Sequence, residues 1–391
     1  MTLLLTQCAA CAAPLGLTSG KKCGRCSTRY CGAECQVQHW KEGGHDNLCK
    51  KIKKAGGAEQ YHANKKYAEA VSVAVEKCAD DTKGQTCYIC LQAVHSRTGE
   101  GLVRGCACGD RDGVASGTTG IAHVSCLAEQ AKILVAEAEE NNLGDKVFNE
   151  RFERWHTCGL CEQEYHGVVA CALGWACWKT YVGRPQTDQI RRLAMGVLGN
   201  GLGSAGHNED ALSVGEAELA TMRRVGTSEG NILVAQSNLA ITYQKLGRQE
   251  QALQIERDVY SGRLRLNGAE SMGTLVAANN CGSSLVDLRG FEEAKSLLRE
   301  TIPVARRVLG DSHDLTLRMR WNYANALYED DGAPLDDLRE AVATLVEIEP
   351  TARRVLGGSH PVAMTMETSL RNARAALDAL AAREAQDPPP V

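Results

Sequence analysis

The chain has 391 residues, enough for two or three domains, and a formal net charge of −4, which argues against nucleic acid as its main partner. Eighteen cysteines are more than packing accounts for, and only Cys281 lies beyond residue 180. A secreted disulfide framework would need an export signal, yet the start, MTLLLTQCAACAAPLG, has no basic segment before its short apolar run.

The longest later apolar run, residues 167–178 (GVVACALGWACW), falls well short of the about 20 residues that cross a bilayer. The expectation is a soluble cytoplasmic protein without a membrane span, the nucleus being an option, in which reduced thiols hold metal.

Residues 1–50 place eight ligand-type side chains in four short pairs: Cys8-x2-Cys11, Cys23-x2-Cys26, Cys31-x3-Cys35 and His45-x3-Cys49. Short spacings let both donors of a pair turn toward one ion. A tetrahedral zinc takes four donors, so eight make two closed sites. With few large apolar residues, this segment cannot offset a chain entropy of roughly 1–2 kcal/mol per residue. Zinc binding in small fingers contributes about 10–16 kcal/mol and can.

The ligand order and the stretch YCGAECQVQHW (residues 30–40) resemble a MYND finger. The resemblance implies interleaved bracing, with Cys8, Cys11, Cys31 and Cys35 on one ion and Cys23, Cys26, His45 and Cys49 on the other. It also implies a proline-rich peptide as partner. Nine residues separate Cys35 from His45, more than is usual in the family, with Gly43-Gly44 as the expected bulge. That gap keeps His39 in play as a competing ligand. The basic residues from Lys21 to Lys54 read as a solvated surface rather than a nucleic-acid footprint.

Residues 51–83 form a linker with a helix predicted over 59–77. A second constellation occupies residues 84–165: Cys87-x2-Cys90, Cys106-x-Cys108, His123-x2-Cys126 and Cys158-x2-Cys161, with Trp155 three residues before Cys158. Cysteine in fourth place and histidine in fifth resemble the RING-CH (RING-variant) finger; a PHD-type finger is the near neighbour. The resemblance implies Cys87, Cys90, His123 and Cys126 on one ion and Cys106, Cys108, Cys158 and Cys161 on the other, giving four Zn2+ in all. It also implies that Ile89 and Trp155 form an apolar contact to a ubiquitin-conjugating enzyme, with catalysis by positioning. The alternative for both side chains is packing over the metal sites.

Several features depart from the family pattern. Fourteen residues separate Cys108 from His123, and 31 separate Cys126 from Cys158, including a predicted helix over 127–141. Glu162 stands where many active fingers carry a basic residue, and Gly159 where a proline is frequent.

A connecting helix is predicted in residues 166–186 and helical repeats in 187–380, with a tail over 381–391. Asn238, Asn280 and Asn322 are 42 residues apart, as are Gly226, Gly268 and Gly310; Gly357 follows after 47, as Ala341 follows Ala294. Two landmarks shifting together make the period real, and each helix pair must stack on its neighbours to bury its apolar face. NLAITYQKLGRQEQAL (238–253), with RRVLGDSH and RRVLGGSHP, resembles the kinesin light chain variety of the tetratricopeptide repeat. The implied fold is mainly α, two small cross-braced zinc modules followed by a tetratricopeptide α-solenoid that holds a client protein or peptide. The repeat asparagines could bond an extended client backbone or join neighbouring helices.

GLGSAG (201–206) matches a dinucleotide fingerprint only as text, because no strand precedes it. Cys78, Cys171, Cys177 and Cys281 read as buried thiols, with an extra site at Cys171, Cys177 and His166 as the alternative. The functional expectation is a zinc-binding adaptor. It acts either as a RING-type ubiquitin ligase whose repeats recruit substrate or as a non-catalytic scaffold with purely structural zinc.

Overall fold

The computed structural model describes residues 7–13, 15, 20–106, 108 and 120–386. Expectations that fall on residues 1–6, 109–119 and 387–391, including the end of the tail, lie outside these. Two compact units are present, one built from Met1–Cys106 with Gly117–Ser228, the other from Glu229–Val391.

The first unit opens with a two-residue hairpin, β1 (Lys21–Lys22) antiparallel to β2 (Arg29–Tyr30), followed by α1 (Ala33–Lys41) and α2 (His45–Lys54). Helix α2 buries His45, Cys49 and Ile52, spaced to lie on one face, while Lys50, Lys51, Lys53 and Lys54 point outward. Its lysines also gather in the last turn, where positive charge suits the helix dipole. The apolar centre of this module is small: Leu15, Tyr30, Ile52 and Ala58 beside its cysteines.

Helix α3 (Ala58–Lys77) leads into β3 (Val103–Arg104), β4 (Ile121–Ala122), α4 (Val124–Glu140), α5 (Asp145–Phe152) and a 3-10 turn at Glu153–Trp155. Helix α4 begins just past His123, and its exposed N-terminal amide at Ser125 is bonded by the buried Glu100 carboxylate.

Helix α6 (Gly167–Tyr181) is apolar nearly all round, and ten of its residues are buried. A helix of that kind belongs inside a core. It packs among α3, α4 and α7 (Gln189–Ser204), with α8 (Asn208–Val225) beyond α7. Glycines bring α6 and α7 together. A Cβ on Gly201 would stand 2.5 Å from the Ala170 carbonyl oxygen, and one on Gly174 would stand 3.1 Å from Leu198 Cα. This close approach is the role of Gly201 in GLGSAG, a segment at the end of a helix. Arg191 of α7 reaches Glu59 at the start of α3, 2.9 Å away, and its guanidinium also lies over Trp178.

The second unit is the tetratricopeptide-like solenoid: α9 (Glu229–Lys245), α10 (Gln249–Asn267), α11 (Met272–Asp287), α12 (Phe291–Leu309), α13 (Asp314–Tyr328), α14 (Leu335–Leu356) and α15 (Pro361–Gln386). Successive helices pack in antiparallel pairs. The landmark alanines Ala252, Ala294 and Ala341 are fully buried, as are Ala240 and Ala324. A Cβ on Gly282, in register with those two, would press on Leu298 at 3.1 Å. Pro303 in α12 and Pro350 in α14 share one repeat position on the exposed side. Helix α15 buries Ala363, Met366, Ser369 and Ala373 and turns a largely polar face outward. Residues 187–380, expected to hold the repeats, divide between the units: α7 and α8 lie in the first, and the second begins at Glu229.

Candidate metal centres and partner surfaces

Four Cys-x2-Cys segments fold into one repeated turn. In each, the first cysteine's amide donates to the carbonyl five residues on, and its own carbonyl accepts from the amide four residues on. The pairs are Cys8 with Ala13 and Ala12, Cys23 with Thr28 and Ser27, Cys87 with Gln92 and Leu91, and Cys158 with Gln163 and Glu162. The residue after the second cysteine is left-handed every time: Ala12 (φ 58°), Ser27 (62°), Leu91 (61°) and Glu162 (60°). Non-glycine residues seldom adopt this conformation, so the turn is strained unless something repays it.

The turn also aims amides at the first sulfur, as Ile89 N does toward Cys87 Sγ at 3.4 Å. Burial alone would raise the Cys8 thiol pKa, yet backbone amides of Cys11, Cys31 and Ala10 bring it down to about 6. Cys23 is likewise lowered against burial by the backbone of Arg25 and Cys26, and Cys87 by that of Cys90, His123 and Ile89.

The sixteen donors form four groups: Cys8, Cys11, Cys31 and Cys35; Cys23, Cys26, His45 and Cys49; Cys87, Cys90, His123 and Cys126; and Cys106, Cys108, Cys158 and Cys161. Within each group all ligand atoms lie within 4.8 Å of one another. Sulfurs 2.3 Å from a zinc sit about 3.8 Å apart at tetrahedral corners, and a sulfur and an imidazole nitrogen about 3.5 Å. The separations agree: Cys11–Cys31 3.7 Å, Cys23–Cys49 3.8 Å, Cys26–His45 Nε2 3.4 Å, Cys90–His123 Nδ1 3.4 Å and Cys126–His123 Nδ1 3.6 Å.

The charge state fits as well. Burial lowers the pKa of both histidines, holding them in the neutral, lone-pair form. Burial and then the neighbouring Cys26 and Cys23 push Cys49 up to about 11, and a cation among these sulfurs would favour its thiolate. Zinc is the ion this donor set expects, and the four groups can hold four ions.

Each module interleaves its pairs, the first with the third and the second with the fourth. His39 is outside the groups. Its Nδ1 faces the Tyr30 hydroxyl at 3.1 Å, an anchoring role that the sequence reading did not assign. Cys171 and Cys177 lie in the core of the first unit, and among the described residues they form no ligand group with His166. Cys78 and Cys281 are buried thiols.

The partner residues divide. Ile89 is 36% exposed and borders a cleft with His95, Arg97, Gln130 and Ile133, on the outer face of α4. Trp155 is a correction. It is fully buried among Val135, Phe152, Trp175 and Tyr181, because α4, α5, the 3-10 turn and α6 wrap its ring into the core. It offers no surface to a partner. Leu160 is instead 49% exposed. It occupies the same place in its Cys-x2-Cys turn as Ile89 does, which is the signal that could have found it. A Cβ on its neighbour Gly159 would stand 3.9 Å from Gln130 Oε1, beside the same cleft.

In the repeats, the Asn280 amide donates to Ser237 Oγ (3.2 Å) and the Asn322 amide to Asn279 Oδ1 (3.1 Å). The two form a ladder between α9, α11 and α13, which is the helix-to-helix alternative. Asn238 is half-buried on α9.

Comparison with known proteins adds module identities. The MYND finger family matches residues 8–49, and the tetratricopeptide repeat family matches residues 232–271 and 274–314. Two crystal structures of a Podosopora anserina protein described as a kinesin light chain, with nearly identical TPR-like repeats, are similar to this chain. One, a form with a single substitution, is 17% identical with a TM-score of 0.38, covering 59% of this chain and 97% of the other. The second form is 16% identical with the same TM-score and coverage. BtubC (BKLC) from P. vanneervenii is 15% identical with a TM-score of 0.36, over 68% and 94%. No curated protein matches the chain significantly in sequence.

Proposed function

We propose that this protein is a zinc-braced adaptor whose second finger docks a ubiquitin-conjugating enzyme while its repeats hold the client. The broader part rests on module type, since the MYND finger and tetratricopeptide repeats are protein-interaction modules. The finer part rests on one observation. The interleaved clusters of residues 87–161 lift Ile89 to the rim of a cleft on α4, with Leu160 on the neighbouring turn.

A finger of this kind makes and breaks no bonds. It fixes the enzyme's ubiquitin thioester within reach of a client lysine, and the rate gain comes from positioning. Leu160 takes the place expected of Trp155. The first finger, with Val37 and Trp40 exposed on α1, takes the proline-rich peptide in this reading. Intracellular residence, which keeps the thiols reduced, belongs to the same proposal.

Autoubiquitination of the full chain with a panel of conjugating enzymes tests it. Wild type should transfer ubiquitin. Ile89→Ala should lose most of that activity, roughly thirtyfold for an anchor worth about 2 kcal/mol, with zinc and helix content unchanged. A second reading, the non-catalytic scaffold, is favoured by the burial of Trp155 and by Glu162. Failure of transfer with every enzyme, zinc content being intact, selects it.

A further inference from the structure

Three of the four donor groups are largely buried, but in the group of Cys8, Cys11, Cys31 and Cys35 the residues Cys11 and Cys31 are exposed and Cys35 is half-buried. Cys31 lies 3.7 Å from Cys11 and 3.4 Å from Cys35. Cys31 and Cys35 bracket the N-terminus of α1, so their bracing also fixes the start of the helix that carries Val37 and Trp40.

We propose that this group is an oxidative modification site at which a peroxide ejects one zinc and forms a disulfide that includes Cys31. Susceptibility to oxidation follows thiolate character and access. Zinc keeps the sulfurs anionic, and among the four groups this one alone has two exposed ligand residues.

The chemistry balances with hydrogen peroxide as the two-electron oxidant. An exposed thiolate attacks the O–O bond, forming the S–O bond of a sulfenic acid and releasing hydroxide. A neighbouring thiolate then attacks that sulfur, forming the S–S bond and expelling a second hydroxide. Two solvent protons convert both hydroxides to water. Whether Cys11 or Cys31 is oxidised first, Cys31 has a sulfur neighbour at 3.7 Å in Cys11 and another at 3.4 Å in Cys35. Zinc, having lost two donors, leaves. The start of α1 loses its brace, while the buried group on Cys23, Cys26, His45 and Cys49 stays in place.

The test treats the full zinc-loaded chain with hydrogen peroxide, follows released zinc with a chromophoric chelator and maps disulfides by mass spectrometry without reduction. One zinc should leave about tenfold or more faster than the rest. The first product should carry a Cys11–Cys31 or Cys31–Cys35 disulfide, and dithiothreitol with added zinc should restore the starting mass. Earlier loss from any other group, simultaneous loss of all four zincs, or a first loss without a Cys31 disulfide would overturn the proposal. So would a chain whose Cys8 group holds no zinc before peroxide is added. None of these outcomes bears on ubiquitin transfer.

Discussion

The Tyr30 hydroxyl lies 3.1 Å from His39 Nδ1, and this contact decides which histidine of the first finger is left for the metal. Tyr30 is fully buried, and burial keeps His39 neutral. The His39 ring lies 5.1 Å from that of His45, whose Nε2 faces Cys26. His39 therefore braces the ligand without being one.

His39→Ala should leave the zinc count unchanged, whereas His45→Ala should lose one zinc. Tyr30→Phe removes one hydrogen bond and should cost about 0.5–1.5 kcal/mol. Gly43→Ala should be worse, because its Cβ would fall 2.2 Å from His39 Cδ2. Zinc content and thermal unfolding of each variant check these outcomes. A zinc lost on removing His39 would reverse the assignment.

The repeat glycines differ in what they tolerate. Gly310 ends α12 at φ 91°, ψ 162°, a region essentially closed to other residues, whereas Gly226 ends α8 at φ 70°, ψ 40°, where asparagine is at home. Gly310→Ala should destabilise the second unit by about 1–3 kcal/mol. Gly226→Asn should cost the first unit much less. Equal losses in urea unfolding would contradict the backbone argument.

Glu256 makes the solenoid sensitive to pH. Its carboxyl is almost fully buried; the Ser284 hydroxyl donates to one oxygen and the other has no hydrogen-bond partner. Burial, only partly offset by Ser284, pushes its pKa from 4.5 up to about 7. Below 4.5 the acid is neutral in both folded and unfolded chains, and it costs nothing. Between those values only the unfolded chain ionises, so stability falls as pH rises. Above about 7 the loss is complete, up to about 3 kcal/mol. Glu256→Gln keeps an acceptor for Ser284. It should raise the urea midpoint of the second unit at pH 8 and change it little at pH 4. An equal gain at both pH values would show that ionisation is not the cause.

The donor pairs were legible from their spacing, the interleaving of those pairs came from the resemblance to known fingers, and period exposed the repeats through Gly268, Gly310 and Gly357. Trp155 was not legible in the same way. Its distance from Cys158 in sequence fixes where its backbone lies, but the direction of its ring depends on α4 and α6, which are remote in the chain. The core joining α3, α6 and α7 was hidden for a related reason. Helix α6 carries apolar residues on all sides, so no periodicity reveals its neighbours. The asparagine ladder was foreseen only as one of two options, since Asn280 and Asn322 find their partners in the preceding repeat.

The central claim is that four interleaved groups each hold one zinc, and native mass spectrometry of the reduced full-length chain tests it most directly. Wild type should carry four zincs, and Cys26→Ser and Cys158→Ser should each carry three. Stripping the metal should unfold the first unit, whose core contains Trp155, three residues before Cys158, while the amides of α9–α15 keep their protection from hydrogen exchange. Two or fewer zincs in the intact chain, or loss of solenoid protection on chelation, would contradict the account.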